Sequence, residues 1–368
     1  MLAHLEINLR NILENTKNLK KAIGRVKLMA VVKSNAYGHG LVEVAKTVVK
    51  AGADYLAVDN IQEGLMLRKA DVQAPILVFG WPDPELINQA VENDLTLTVF
   101  DKDTVKRISQ AGMLFKKPVK VHIKLETGMN RYGLRPEEII DFLKYLKRTP
   151  KIELEGIYSH FAAAQSRDKS YTFKQLGIFQ KTIEDLQKAG YKIRYRHIAN
   201  SAATLSMPSS HFDMVRLGIC LYGLFPSQEL GSFFELKPAL EFKSKIVSLK
   251  KIPGGEKISY DGTYTTTKPT LVAVVPVGYA DGYDRKLSNY GKVLVKGKRA
   301  SVIGKICMRA MMIDVSAIEG VEIGDEVVLI GKQGNEQVTA GELAGLIGTI
   351  NYEVVSRLSS DLPRVYIR

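Results

Sequence analysis

Cysteine is almost absent from this chain: Cys220 and Cys307 are the only two in 368 residues. They stand far apart, carry no metal-ligand spacing and argue against a disulfide framework, which fits a reducing compartment. Long apolar runs are missing as well. None approaches the ~18 residues a membrane span needs, and the longest are of strand length. The N-terminus, Met1-Leu-Ala-His-Leu-Glu6, lacks a cationic segment with a cleavage site. No signal peptide is expected, and the chain reads as cytoplasmic, with no membrane partner. Acids are the minority charge, 39 against 52 lysines and arginines, giving a net +13. That excess invites a nucleic-acid reading. The basic residues are interleaved with acids, however, as in 17–27 and 144–151, and no aromatic-interleaved basic segment is present. A solvated lysine-rich surface that attracts small anions is the better account, with no nucleic acid as partner. Repeats and low-complexity segments are lacking too. At this length, two globular domains are expected.

What is present is a series of short apolar runs at intervals of roughly 20–40 residues. They are Leu28–Val32, Tyr55–Val58, Pro75–Phe79, Leu95–Phe100, Val119–Leu125, Leu154–Ser159, Tyr195–Ala199 and Met214–Leu217. Helical patterns fill the gaps, such as Leu41–Val49 and Pro136–Leu146, and a further helix from about Asn8 to Ile23 precedes the first run. Eight strand–helix units predict an α/β fold, a (β/α)8 TIM-like barrel over 1–232. A doubly wound open sheet would more often show fewer units and a Gly-rich loop after its first strand. From about Phe233 the period shortens. Leu240–Leu249 alternates, and Thr270–Val277, Gly291–Val295, Ala300–Ile306, Met311–Val315 and Glu326–Ile330 read as strands joined by Gly-rich turns. A mostly β domain over 233–368 is expected.

Barrel chemistry gathers where strands end at the C-terminal face. The first run ends at Lys33, with Tyr37 in the following loop, placing an amine at the floor of a cleft. Loss of water there favours the free base, a nucleophile or Schiff-base former. The fifth run leads into Lys124 and Arg131, the sixth into His160, the seventh into His197, Asn200 and Ser201, and the eighth into Arg216, Gly218 and Ile219. Loops after the last two strands commonly hold a phosphate. Ser201 is placed as the N-cap of a helix whose free N–H groups could face an anion. An amine on one side and a phosphate site on the other imply pyridoxal 5′-phosphate, which forms an imine with lysine and carries one phosphate.

Eight segments in order resemble the alanine racemases, barrel enzymes of the fold-type III pyridoxal-phosphate class with a C-terminal β domain. They are Ala30-Val-Val-Lys-Ser-Asn-Ala-Tyr-Gly-His-Gly40, Thr127-Gly-Met-Asn-Arg131, Asn200-Ser-Ala-Ala-Thr204, Val215-Arg-Leu-Gly-Ile219, Ile258-Ser-Tyr260, Val277-Gly-Tyr-Ala-Asp-Gly282, Ile306-Cys-Met308 and Ile350-Asn-Tyr-Glu353. The resemblance covers essentially the whole chain. It implies a two-base racemase that supplies D-alanine for peptidoglycan, acting as a homodimer with shared sites. Lys33 would hold the cofactor and serve as one base, and Tyr260 of the partner subunit would be the other. Arg216 would face the ring nitrogen, supported by His197, with His160 near the ring. Tyr37, Asn200, Ser201, Gly218, Ile219 and Tyr352 would line the cofactor and its phosphate. Arg131 and the Met308 backbone would meet the substrate carboxylate, Tyr279 would narrow the entry, and Lys124 matches a lysine often carbamylated in the family.

Three positions depart from the family pattern. Asn130 and Asp261 stand where glycine is usual, and Arg309 where aspartate is usual. Asn tolerates unusual backbone angles. Asp261 and Arg309 are opposite in sign, which predicts that they pair. Related barrel decarboxylases of basic amino acids share only the architecture. A non-catalytic pyridoxal-phosphate carrier would lack the β domain and its second base. Serine is the expected secondary substrate.

Overall fold

The apolar runs fold into short parallel strands because both of their faces are covered. Tyr55–Val58 and Thr96–Val99 are buried at every residue, as expected for a sheet with packing on each side. The structure is a computed structural model that describes residues 1–227, 229–230 and 234–368. Strand β1 (Ala3–Asn8) comes first. The barrel strands follow as β2 (Lys27–Val31), β3 (Tyr55–Val58), β4 (Ile76–Val78), β5 (Thr96–Val99), β6 (Val119–Lys124), β7 (Ile152–Tyr158), β8 (Tyr195–His197) and β9 (Met214–Leu217). Their hydrogen-bonded order is β9-β2-β3-β4-β5-β6-β7-β8, and every ladder between them is parallel. No regular ladder joins β8 to β9. Asp213 N donates to Arg196 O at 3.1 Å and Arg216 N to Ala199 O at 3.0 Å across that seam, nearly closing the barrel.

The connecting helices show the spacing their sequences predict. Leu41–Lys50 buries Leu41, Val44, Ala45 and Val48, and Ile139–Arg148 buries Ile139, Phe142, Leu143 and Leu146. Steps of one, three and four residues place these side chains on one stripe. Asn60 and Asp101 accept hydrogen bonds from the first turns of the helices that follow β3 and β5, satisfying donors the helix cannot use itself.

The chain divides into two compact units. One holds Asn11–Ala36 and Leu41–Lys237, the barrel. The other holds Met1–Arg10, Tyr37–Gly40 and Pro238–Arg368. The expected boundary between 232 and 233 lies outside the described residues. β1 belongs to the second unit, pairing antiparallel with Leu240–Lys245 and parallel with Arg364–Ile367. From sequence alone these first residues are expected in the barrel. Local pattern cannot reveal a strand whose partners lie more than two hundred residues away.

The second unit is mostly β. Its main sheet runs Ser248–Ile252, Thr270–Val275, Met311–Asp314, Lys298–Ile303, Lys292–Val295, Glu326–Gln333, Leu240–Lys245, β1 and Arg364–Ile367. The run Leu240–Leu249, read as one strand, is broken at Ile246 and Val247. Their N–H groups donate to Asp325 O and Val274 O, each at 2.9 Å, and the chain there changes partner strand. Two short helices, Ala340–Ile347 and Asn351–Ser356, complete the unit.

Candidate active site

Lys33 follows β2 by two residues, at the tip the sequence predicts. Its side chain is about one-third exposed, and Nζ lies 2.9 Å from Asp59 Oδ1. Asp59 carries no motif and escaped the sequence reading. Beyond Lys33 the backbone turns left-handed at Ser34 (φ 53°, ψ 54°), Asn35 (φ 54°, ψ 44°) and Ala36 (φ 53°, ψ 50°). Tyr37 continues it with φ 54°. Each such residue costs about 1–2 kcal/mol, because Cβ crowds the next carbonyl. The barrel unit holds the turn in place. Ala36 N donates to Val32 O at 2.8 Å, Asn35 N donates to Glu63 Oε1 at 3.2 Å, and Asn35 Oδ1 accepts from Leu41 N at 2.8 Å. Strain retained by several independent bonds is characteristic of functional loops.

Arg216, near the end of β9, is buried and makes four hydrogen bonds through its terminal nitrogens. Nη1 donates to His197 Nδ1 at 3.0 Å. Nη2 donates to Ser159 O at 2.7 Å, His160 Nδ1 at 3.0 Å and Ile198 O at 3.0 Å. Among the described residues Nε–H has no partner and stays uncommitted. Burial draws the Arg216 pKa down to about 10, which leaves it cationic at neutral pH. His160 and His197 are held neutral. Burial, then the charge of Arg216, pushes both well below the usual histidine range.

After β8 the chain enters the short helix Ser201–Ser206. Its N-cap is Asn200, whose Oδ1 accepts from Ala203 N at 3.1 Å, and not Ser201 as the sequence suggests. Ser201 is instead the first helical residue, and its Oγ accepts from Gly218 N at 3.0 Å. This bond ties the loops after β8 and β9 together. It also commits the Gly218 N–H, while Ile219 opens the next turn, Ile219–Tyr222.

Lys124 ends β6 and is buried, with Nζ 4.9 Å from the centre of the Tyr158 ring. Burial, followed by the charge of Arg216, drives its pKa far below the usual lysine range. Arg131 is exposed, and its backbone N donates to Glu126 Oε2 at 3.3 Å. Asn130, before it, is left-handed at φ 54°, which explains why glycine or asparagine suits the position.

The remaining predicted residues lie in the second unit. The rings of Tyr37 and Tyr352 are 6.1 Å apart. Tyr279 N donates to Cys307 O at 3.1 Å and Ala280 N to Met308 O at 3.0 Å, joining the Tyr279 and Met308 loops. Gly278 is required for that approach, since a Cβ there would sit 2.1 Å from Cys307 O. Tyr260 is 64 % exposed and Met308 59 %. Ser259 adopts φ 64° and ψ −170°, a region almost reserved for glycine and worth about 1–3 kcal/mol of strain. Its Oγ donates to Lys305 O at 2.5 Å, holding the turn that presents Tyr260.

The expected pair between Arg309 and Asp261 does not form. Arg309 Nη1 binds Asp281 Oδ1 at 3.2 Å, and Asp261 is taken by Lys305. The reason is backbone direction: Asp261 is left-handed at φ 59° and follows the strained Ser259. Like Asn130, it is one of the few non-glycine types that tolerate this conformation.

Comparison with known proteins agrees with this geometry. Residues 7–226 match the family described as alanine racemase, N-terminal domain, and residues 239–366 match alanine racemase, C-terminal domain. The chain is 42% identical to an alanine racemase of Carboxydothermus hydrogenoformans over 363 residues, covering 98% of each chain. It is 44% identical to one of Methanococcus maripaludis over 365 residues, again covering 98% of each. The crystal structure of alanine racemase from Bacillus anthracis with bound L-Ala-P superposes with a TM-score of 0.94 at 42% identity, covering 100% of this chain and 95% of that one.

Proposed function

The chain belongs to the alanine racemase family, and from that premise we infer that it interconverts L-alanine and D-alanine with pyridoxal 5′-phosphate as cofactor. The observation that carries the reading is Arg216, a buried cation whose Nε–H is uncommitted, at the C-terminal face of the barrel. A guanidinium donates and does not accept, so it would keep the ring nitrogen it faces unprotonated. When bound, the cofactor supplies a conjugated ring that makes the Cα proton of an attached amino acid labile. Lys33 Nζ would hold the cofactor and then take or return the Cα proton on one face. Tyr260 would do so on the other face, since one side chain cannot reach both. Free tyrosine titrates near pH ~10, so this base needs cations close by. Tyr37, Tyr352, Ser201 and the Ile219 N–H would receive the phosphate, with Asn200 and Gly218 shaping its loops. His160 would lie against the ring. Arg131 and the Met308 backbone would orient the substrate carboxylate, and Tyr279 would restrict the entry to small side chains.

Purified protein incubated with single L-amino acids, followed by resolution of enantiomers, tests the activity. Rapid loss of optical purity is expected for alanine and slower loss for serine. No racemisation of either would overturn the reading. The D-alanine formed would serve peptidoglycan synthesis in the cytoplasm. Among the described residues no helix is long and apolar enough to cross a membrane.

The active unit would be a homodimer in which Tyr260 and Met308 serve Lys33 of the partner subunit. Their high exposure in one chain supports this. Mixing Lys33→Ala with Tyr260→Phe chains should restore activity, because one site of each hybrid then carries both bases. Absence of complementation, with subunit exchange demonstrated by mass, would place both bases in one chain.

Lys124 would be a carbamate in the working enzyme. A neutral amine adds to carbon dioxide and releases one proton, and the resulting anion would orient Arg131. Carbon-13 NMR under labelled bicarbonate should show a carbamate resonance that Lys124→Ala lacks. A spectrum identical in both proteins would leave Lys124 as an unmodified buried amine.

A further inference from the structure

Behind Arg216 a line of polar side chains runs into the barrel core, toward the N-terminal side of the strands. His197 Nε2 is 2.9 Å from His122 Nδ1. His122 Nε2 is 3.2 Å from Glu155 Oε2. Tyr55 Oη donates to that same oxygen at 2.8 Å and lies 2.7 Å from Thr96 Oγ1. His122, Glu155, Tyr55 and Thr96 are all buried, and the activity derived above uses none of them. The socket is built for this line. β6 and β7 slip register between Val121 and His122, setting His122 opposite Gly156. A Cβ on Gly156 would fall 2.7 Å from the imidazole. At the far end, Lys120 Nζ lies 3.4 Å and Arg194 Nη1 3.9 Å from Glu155 Oε1.

The two ends of this line fix every proton between them. Arg216 can only donate, so His197 Nδ1 must accept. A neutral His197 then carries its proton on Nε2 and donates to His122 Nδ1. His122 in turn carries its proton on Nε2 and requires an acceptor beyond it. An ionised carboxylate only accepts. Burial alone would raise the Glu155 pKa, yet the bonds from His122 and Tyr55 outweigh it and pull the value down to about 2. Burial also keeps His122 neutral, lowering its pKa despite Glu155. A proton added to either imidazole would set two donors against each other.

We propose that Glu155, acting through His122 and His197, is a positioning residue for the reaction: it locks both imidazoles as Nε2–H tautomers and so holds Arg216 as a one-way donor. The effect on catalysis rests on the reading that Arg216 faces the cofactor ring nitrogen. The tautomer lock does not, because it is a property of the chain alone.

Nitrogen-15 NMR of histidine-labelled protein, with and without cofactor, tests the lock, with resonances assigned by single replacements. His122 and His197 should be neutral with the proton on Nε2 in both states. A proton on Nδ1 of either ring, or a charged ring, overturns the proposal. Glu155→Gln should mix the tautomers and lower kcat by roughly 10- to 100-fold in both directions, the scale for groups that orient a reacting side chain. KM should change little, and Glu155→Asp should recover part of the loss. Unchanged kcat with the native tautomers in Glu155→Gln would overturn the proposal, as would a loss confined to cofactor affinity. Full activity in Arg216→Lys would instead sink the role given to Arg216, leaving the tautomer result standing.

Discussion

Lys33→Ala should abolish racemisation and leave the chain unable to hold its cofactor covalently. The expected loss in kcat is about 10⁴-fold or more. That is the upper end of what one proton-transfer group contributes, and here the same nitrogen also makes the attachment. Lys33 ends a buried run and its side chain remains partly exposed, with Nζ held 2.9 Å from Asp59 Oδ1. The left-handed turn that follows fixes how the chain leaves the strand. Alanine at this position removes the amine without touching the bonds that hold the turn, since those come from Val32, Asn35, Glu63 and Leu41. The fold should therefore survive. After borohydride treatment, intact mass should show the cofactor on the native chain and none on the variant. An adduct retained on another lysine would move the attachment site and remove Lys33 from the scheme.

Tyr260→Phe should be nearly as damaging while leaving cofactor binding intact. Loss of one positioned proton donor and acceptor costs about 10²- to 10⁴-fold. The side chain is 64 % exposed, so deleting its hydroxyl opens no cavity and stability should not change. The informative readout is exchange of the Cα proton with solvent deuterium. Lys33 remains, and it would serve the D enantiomer. Exchange from D-alanine should therefore survive better than exchange from L-alanine, while conversion between them collapses. Equal exchange from both enantiomers would end the two-base scheme.

Much of this molecule is written in local sequence. The eight apolar runs announce the barrel strands, because a strand covered on both faces has to be apolar throughout. The placement of Lys33, His160, His197, Ser201 and Arg216 at or just after strand ends is legible for a related reason. Barrel strands all point their C-terminal ends to one face, so chain order alone says which side chains share it. One departure from the family pattern is legible as well: Asn130, a residue that accepts unusual backbone angles, is left-handed, whereas the left-handed Asp261 is read from sequence only as a charge.

Other features belong to the tertiary structure alone. β1 carries no signal of its partners, since strand pairing across the length of the chain is decided by packing rather than by local pattern. The pairing of Arg309 with Asp281, and of Asp261 with Lys305, depends on where the strained Ser259 turn points. Opposite charge by itself does not choose a partner. Nor could the sequence reveal four left-handed residues after Lys33, because an unfavourable conformation has no propensity to read and persists only through bonds made elsewhere. His122 and Glu155 look like ordinary strand residues. They become a line of fixed polarity only when a register slip and a missing Cβ at Gly156 bring them into the barrel core. Local chemistry chose the residues that can react. Long-range packing decided which of them are neutral, which donate and which are held in place, since burial and hydrogen-bond partners are properties of the folded chain.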